Sequence, residues 1–144
     1  MGVRLRAAAI VVHDGQVLLV STKRGAPGYL VPPGGGVQAG ETLQEAVVRE
    51  VREEADLAIE AGRLLGYREL VHDGGMTLEL YLAASLAGNP DLPGGVPPED
   101  RCVRWIALGD LPGVPHFPQQ LAELCRQALT AHTGVLYLGR AECY

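Results

Sequence analysis

Six of the nine residues from Pro32 to Gly40 are proline or glycine, within the stretch GYLVPPGGGVQAGE. No other segment restricts the chain so strongly. Proline fixes φ and removes a backbone donor, and glycine is costly to order, so the stretch predicts an irregular loop. A helix follows at once. Thr42 with Glu45 three residues later is a capping-box pattern, and 43–55 contains neither glycine nor proline.

On a helical wheel with Glu50 at the origin, Leu43, Val47, Val51 and Ala55 fall at about 20°, 60°, 100° and 140°, a continuous apolar stripe. Glu54 falls at about 40°, inside that stripe, and Glu53 at about −60°, beside it. Three carboxylates on the edge of a packing face repel one another, and partial burial raises the cost unless something positive joins them. Arg49 is placed to compensate, whereas Arg52 projects to about 200°, away from the cluster. Clustered carboxylate oxygens suit a hard divalent cation. The competing reading is a solvated face on an acidic protein. The residues alone leave both open.

Around this pair of segments the chain alternates short β-rich runs with turns. Residues 4–13 and 17–21 predict two strands joined at Asp14-Gly15, a hairpin turn signal. Residues 57–70 predict one or two strands, followed by a turn at Asp73-Gly74-Gly75. Leu78, Leu80 and Leu82 alternate with Glu79 and Tyr81, so 77–86 predicts another strand. Four prolines make 88–100 irregular; 102–106 and 135–138 predict short strands. A second helix is expected over 118–130, with Leu121, Leu124, Cys125 and Leu129 on one face. Strands flanking two helices imply a mixed-sheet α/β or α+β sandwich. The 144 residues fit one domain spanning 1–144.

Residues 35–57, GGVQAGETLQEAVVREVREEADL, resemble the Nudix box, G-x(5)-E-x(7)-R-E-U-x-E-E-x-G-U with U a bulky aliphatic. Gly35, Glu41, Arg49, Glu50, Val51, Glu53, Glu54 and Leu57 match in register, and Asp56 stands where the family has glycine. The resemblance implies the Nudix α/β/α sandwich with a mixed β-sheet. It also implies MutT-like hydrolysis of a nucleoside diphosphate linked to another moiety, with Mg²⁺ or Mn²⁺ as cofactor. Carried over by position, Glu50 and Glu54 bind metal and Glu53 is a ligand or the general base, the latter being the first choice. Arg49 and Glu41 orient carboxylates and hold the loop to the helix, and the Gly34 carbonyl completes a metal shell. A downstream acidic ligand is expected at Glu99, six positions before Trp105, with Asp100 the neighbouring candidate. The family glycine ends the helix in a left-handed conformation, so Asp56 is expected to cost about 1 kcal/mol and leave the chemistry intact.

Other residues are read more plainly. Tyr29 either stacks on a base beside the glycine loop or packs in the core; His13 and His116 are solvated, and Trp105 belongs to the core. The region around 72–75 has neither the proline nor the tyrosine that marks two substrate classes in the family, so nucleoside triphosphates, oxidised nucleotides and ADP-sugars stay open. Twelve Lys and Arg against 17 Asp and Glu leave no footprint for a nucleic acid polymer, though a single nucleotide can bind through a cation. The longest apolar run, 7–12, is too short for a membrane span or a signal peptide. Cys102, Cys125 and Cys143 are odd in number and unevenly spaced, which implies thiols in a reducing, cytoplasmic compartment. A homodimer is the expected oligomer. A catalytically silent Nudix-domain sensor is the competing function; an acidic interaction module would leave the glycine loop unexplained.

Overall fold

The computed structural model describes residues 2–21, 28–88, 102–131 and 134–142. The strands are β1 (Gly2–His13), β2 (Gln16–Ser21), β3 (Leu30–Val31), β4 (Gly34–Gly36), β5 (Ile59–His72), β6 (Gly75–Leu86), β7 (Val103–Ala107) and β8 (Leu136–Glu142). Helix α1 (Leu43–Ala55) lies between β4 and β5, and α2 (Leu121–Ala128) precedes β8. The main path of the mixed sheet runs β3-β2-β1-β6-β5-β8, with β4 paired to β1 and β7 to β2. At its centre β1 and β6 run parallel, in register from Gly2↔Gly75 to Val11↔Ala84.

A central strand covered on both faces has no polar side, and the unbroken run Ala7–Val11 is buried throughout. Its odd positions, Ala7, Ala9 and Val11, pack with Ala46, Val47, Val51 and Ala55 of α1. Its even positions, Ala8 and Ile10, pack with Leu121, Leu124 and Cys125 of α2. The two helices therefore sandwich the sheet, as expected. Val47 and Val51, fully buried, each contribute about 2 kcal/mol of apolar transfer energy to fixing α1.

Local signals behave as their chemistry demands. Asp14 and Gly15 both have positive φ, 49° and 72°, the backbone of a two-residue hairpin turn whose twist suits the strands. The Thr42 side chain accepts from the Glu45 N–H and Glu45 reaches back to the Thr42 N–H, completing the capping box. Asp56 closes α1 at φ 53°, ψ 41°, the left-handed conformation expected of this position, and its N–H donates to Arg52 O. Arg52 pairs with Asp56 at 3.3 Å and stays away from the acidic edge.

Several expectations need correction. The proline and glycine stretch is not wholly irregular: β3 pairs with β2, and β4 lies antiparallel on β1 at Arg6↔Gly36, Ala7↔Gly35 and Ala8↔Gly34. Residues 59–72 form a single strand that absorbs its irregularity as register shifts near Ala61, Leu64 and Gly66. A 3-10 turn over Leu108–Gly113 had no signal in the sequence pattern. Helix α2 is shorter than the span 118–130, beginning after Gln120 without a side-chain cap, and Leu129 lies beyond its end, exposed. No helix among the described residues is long and apolar enough to cross a membrane.

Candidate functional site

Strand β4 consists only of glycine, and its lack of side chains lets it lie against β1 on one side and receive Glu50 and Glu54 of α1. A Cβ on Gly34 would lie 2.4 Å from Ala7 O and 2.6 Å from Ala8 Cα, so the strand can sit against β1 only as glycine. A Cβ on Gly35 would lie 2.4 Å from Glu50 Oε1 and 2.5 Å from its Cδ. The Glu50 carboxylate thus occupies the space that any other residue at 35 would fill. Gly34 N–H donates to Glu54 Oε2 at 3.1 Å, which brings the second carboxylate to the same strand.

Arg49 ties these parts together. Its Nε and Nη2 donate to the two oxygens of Glu41 at 2.6 and 2.9 Å, a bidentate fork. Its Nη1 donates to Glu50 Oε1 at 2.8 Å and its Nη2 to Gly36 O at 3.0 Å. Contact with Glu53 is looser, at 3.4 and 3.5 Å. Hydrogen bonds from Arg49, and next the Gln38 N–H, hold the Glu41 carboxyl down at about 2. The same bonds, that to Glu41 first and that to Glu50 second, push the Arg49 guanidinium above its ordinary range.

Burial separates the three helix carboxylates. Glu54 is buried at 6% exposure, Glu50 is largely covered, and the Glu53 side chain is 56% exposed. Among the described residues, Glu41, Glu50 and Glu53 all contact the Arg49 guanidinium, and Glu54 lies beside Glu50 on the glycine strand. Among the described residues, no three His, Cys, Asp or Glu side chains converge as a ready-made metal group. Glu50 is drawn to Arg49 and Glu54 to the Gly34 N–H. The chemistry of the donor set nonetheless fits a hard divalent cation: two covered carboxylates against one glycine strand, with room kept for Glu50 by the absence of a Cβ.

The structure therefore brings Gly34, Gly35, Glu41, Arg49, Glu50 and Glu54 together and leaves Glu53 at the rim. Glu99 and Asp100 lie outside the described residues, as does Cys143. Tyr29 does not sit in the core. It is half-buried and packs edge-on against Phe117 at 4.9 Å between ring centroids, while the Leu30 backbone exchanges hydrogen bonds with Pro115 and Phe117. His116, half-buried in that segment, has Nδ1 2.6 Å from Val114 O, and His13 packs edge-on against the partly buried Trp105. Two groups escaped the sequence reading. The Gly36 carbonyl as a partner of Arg49 is a backbone atom without a residue signature. Glu79 belongs to the alternating pattern of 77–86, yet it is buried with Arg6, Arg68 and Tyr81 as partners, an arrangement set by strand register.

A family model described as the NUDIX domain matches residues 3–126. Over 131 residues the chain is 28% identical to the NAD-capped RNA hydrolase NudC of Stutzerimonas stutzeri, covering 91% of this chain and 43% of that protein. It is 43% identical over 58 residues to the ADP-ribose pyrophosphatase of Methanocaldococcus jannaschii, covering 40% of this chain and 34% of that one. The chain thus spans less than half the length of either relative. The crystal structure of a MutT NUDIX hydrolase from Burkholderia pseudomallei matches with a TM-score of 0.67 and 30% identity, over 87% of this chain and 97% of that chain.

Proposed function

The chain belongs to the Nudix family, and on that premise we propose that it is a pyrophosphohydrolase that cleaves the P–O–P link of a nucleoside diphosphate joined to another moiety. The observation that carries this reading is the seating of Glu50 and Glu54 along the glycine strand, locked from behind by Arg49. Glu50 and Glu54 would hold the divalent metal, Mg²⁺ or Mn²⁺, with the Gly34 carbonyl and, further along the chain, Glu99. A bound divalent ion supplies charge neutralisation at the phosphoryl oxygens and a more acidic water.

The remaining roles belong to the protein. Arg49 holds Glu50 beside β4 through one N–H, touches Glu53 more loosely, and is itself anchored by Glu41 and Gly36 O. Glu53 is the general base: it is the most open of the three and only loosely held by Arg49, which suits it to accept a proton from an attacking water. Glu41, kept ionised to low pH, acts as the anchor for Arg49 rather than as a proton carrier.

The rival reading is a silent nucleotide sensor, in which Asp56, the one departure from the family box, would mark a relaxed site. That reading weakens, because Asp56 adopts the left-handed backbone the position requires and α1 ends where it should. A cytoplasmic setting is part of the proposal, supported by Cys102 and Cys125 as free thiols. The test is turnover of nucleoside triphosphates, oxidised nucleotides, ADP-sugars and dinucleoside polyphosphates with Mg²⁺ and with Mn²⁺. Metal-dependent release of a nucleoside monophosphate from one class supports the hydrolase. Tight binding without turnover across the panel would support the sensor.

A further inference from the structure

Tyr29 takes no part in seating the carboxylates, yet its surroundings fix it firmly. It stands one residue before β3, and residues 115–117 lie along the same strand. Leu30 N–H donates to Pro115 O at 2.9 Å, Phe117 N–H donates to Leu30 O at 3.1 Å, and Leu30 forms a parallel bridge with His116. The backbone therefore holds Phe117 beside Tyr29, with ring centroids 4.9 Å apart and ring planes at 84°. In such an edge-to-face pair one ring abuts the other with its edge, so its own two faces stay clear of that partner.

Neither ring packs into the layer beneath α1 or the layer beneath α2. Phe117, the chain's one phenylalanine, is 39% exposed, and Tyr29 is half-buried. Two ordered aromatics left partly open to water forgo the burial that large rings ordinarily contribute to a core, and a flat apolar partner would recover it. Their position is suited to one. Leu30 packs beneath α2, so strand alternation turns Tyr29 to the other face, the side of α1 with Glu50 and Glu54. From Tyr29 the chain runs through Leu30–Val31 and two prolines to Gly34, whose N–H meets Glu54. That stretch of five residues spans at most about 18 Å. Ala9 N–H donates to Pro33 O at 2.9 Å, which holds the run against β1. A ribose and a diphosphate, with the reach of a tyrosine and a glutamate side chain, bridge such a separation.

Resting on the hydrolase reading, we propose that Tyr29 and Phe117 form a stacking seat for the nucleobase of the substrate and so select base-bearing diphosphates over base-free ones. A base offers a flat π-face to either ring, and such stacking contributes to binding without any change at the reacting phosphorus. The pair therefore acts on affinity, while Glu50, Glu53 and Glu54 act on the chemical step.

The experiment is calorimetric binding of AMP, GMP, CMP, UMP and ribose 5-phosphate with Mg²⁺, to the wild type, Tyr29→Leu, Phe117→Leu, Tyr29→Phe and Tyr137→Leu. The KM of ADP-ribose and of 5-phosphoribosyl 1-diphosphate, which has no base, is measured for each. Leucine keeps an apolar side chain at both positions, and unaltered ribose 5-phosphate binding shows that the fold is kept. Tyr137, 55% exposed on β8 at the opposite edge of the sheet, is the aromatic control. The wild type should bind the best of the four nucleotides at least about tenfold more tightly than ribose 5-phosphate. Both leucine variants should lose that advantage and raise the KM of ADP-ribose about tenfold, with kcat and the KM of phosphoribosyl diphosphate within about twofold. Tyr29→Phe and Tyr137→Leu should match the wild type. Wild-type nucleotide affinity in either leucine variant, or no wild-type preference for a nucleotide over ribose 5-phosphate, overturns the proposal. A base preference that depends on both rings, in a protein that turns over no pyrophosphate, would uphold the seat and remove the hydrolase reading; nucleotide turnover at wild-type KM in the leucine variants would do the reverse.

Discussion

Two adjacent glycines should respond to alanine in opposite ways. At Gly35 the new Cβ would meet the far end of a flexible side chain, with Glu50 Oε1 at 2.4 Å. Ordinary contact begins near 3.4 Å, so the carboxylate must retreat by about 1 Å. The backbone at 35 is not left-handed, so alanine carries no φ penalty there and gains about 0.4–1 kcal/mol by restricting the unfolded chain. Shifting Glu50 off its preferred rotamer costs about 0.5–1.5 kcal/mol, so the two effects nearly cancel and Tm should move by less than about 3 °C. Activity should not escape. A misplacement of about 1 Å at a reacting centre can cost about 100-fold, which is the expected fall in kcat/KM, with a higher metal requirement. At Gly34 the Cβ would instead meet backbone, Ala7 O at 2.4 Å and Ala8 Cα at 2.6 Å. The β1–β4 pairing must then part, at about 3 kcal/mol and about 10 °C in Tm. Circular dichroism melts and a coupled phosphate-release assay on both variants decide the matter. Full kcat/KM in Gly35→Ala, or a melt as low as that of Gly34→Ala, would refute the seating of Glu50 against β4.

Three other changes probe separate parts of the account. Asp56→Gly relieves about 1 kcal/mol of left-handed strain and returns about half of it as backbone entropy, so Tm should rise by about 1–2 °C with activity unchanged; a lower Tm would contradict it. Glu41 titrates at about 2 when folded against 4.5 as its ordinary value, so its stabilisation is present above 4.5 and lost as pH falls toward 2. Glu41→Gln should therefore flatten the decline of Tm between pH 4.5 and 2, and an unaltered decline would show that the Arg49 fork is not formed in solution. Tyr81→Phe removes a buried donor from Glu79 and should lower stability by about 1–2 kcal/mol, read as denaturant midpoint at unchanged slope. No shift in midpoint would mean that water replaces the hydroxyl.

Local chemistry makes much of this molecule readable from its sequence. Asp14-Gly15, the Thr42 and Glu45 cap and the stripe of Val47, Val51 and Ala55 each act within a few residues, and each forms as its chemistry requires. The acidic edge was legible for the same reason, since the helical period alone places Glu50 and Glu54 on the packing face. Features that depend on which strands become neighbours were not. Glu79 looks like the outward member of an alternating strand until β1 and β5 bring Arg6 and Arg68 beside it. Gly34–Gly36 reads as loop because glycine has low strand preference, yet the lack of Cβ atoms is what lets β4 lie on β1. Tyr29 finds Phe117 only because the 115–117 segment folds back onto Leu30.

The most direct test of the metal role given to the carboxylate pair is Mn²⁺ binding followed by electron paramagnetic resonance, in the wild type and in Glu54→Gln. Glutamine keeps an oxygen to accept from the Gly34 N–H, so the variant should fold, while losing a charged ligand. Mn²⁺ affinity should drop by at least about 100-fold, and turnover with it. Wild-type Mn²⁺ affinity and undiminished turnover in Glu54→Gln would contradict the assignment of this buried carboxylate to the metal.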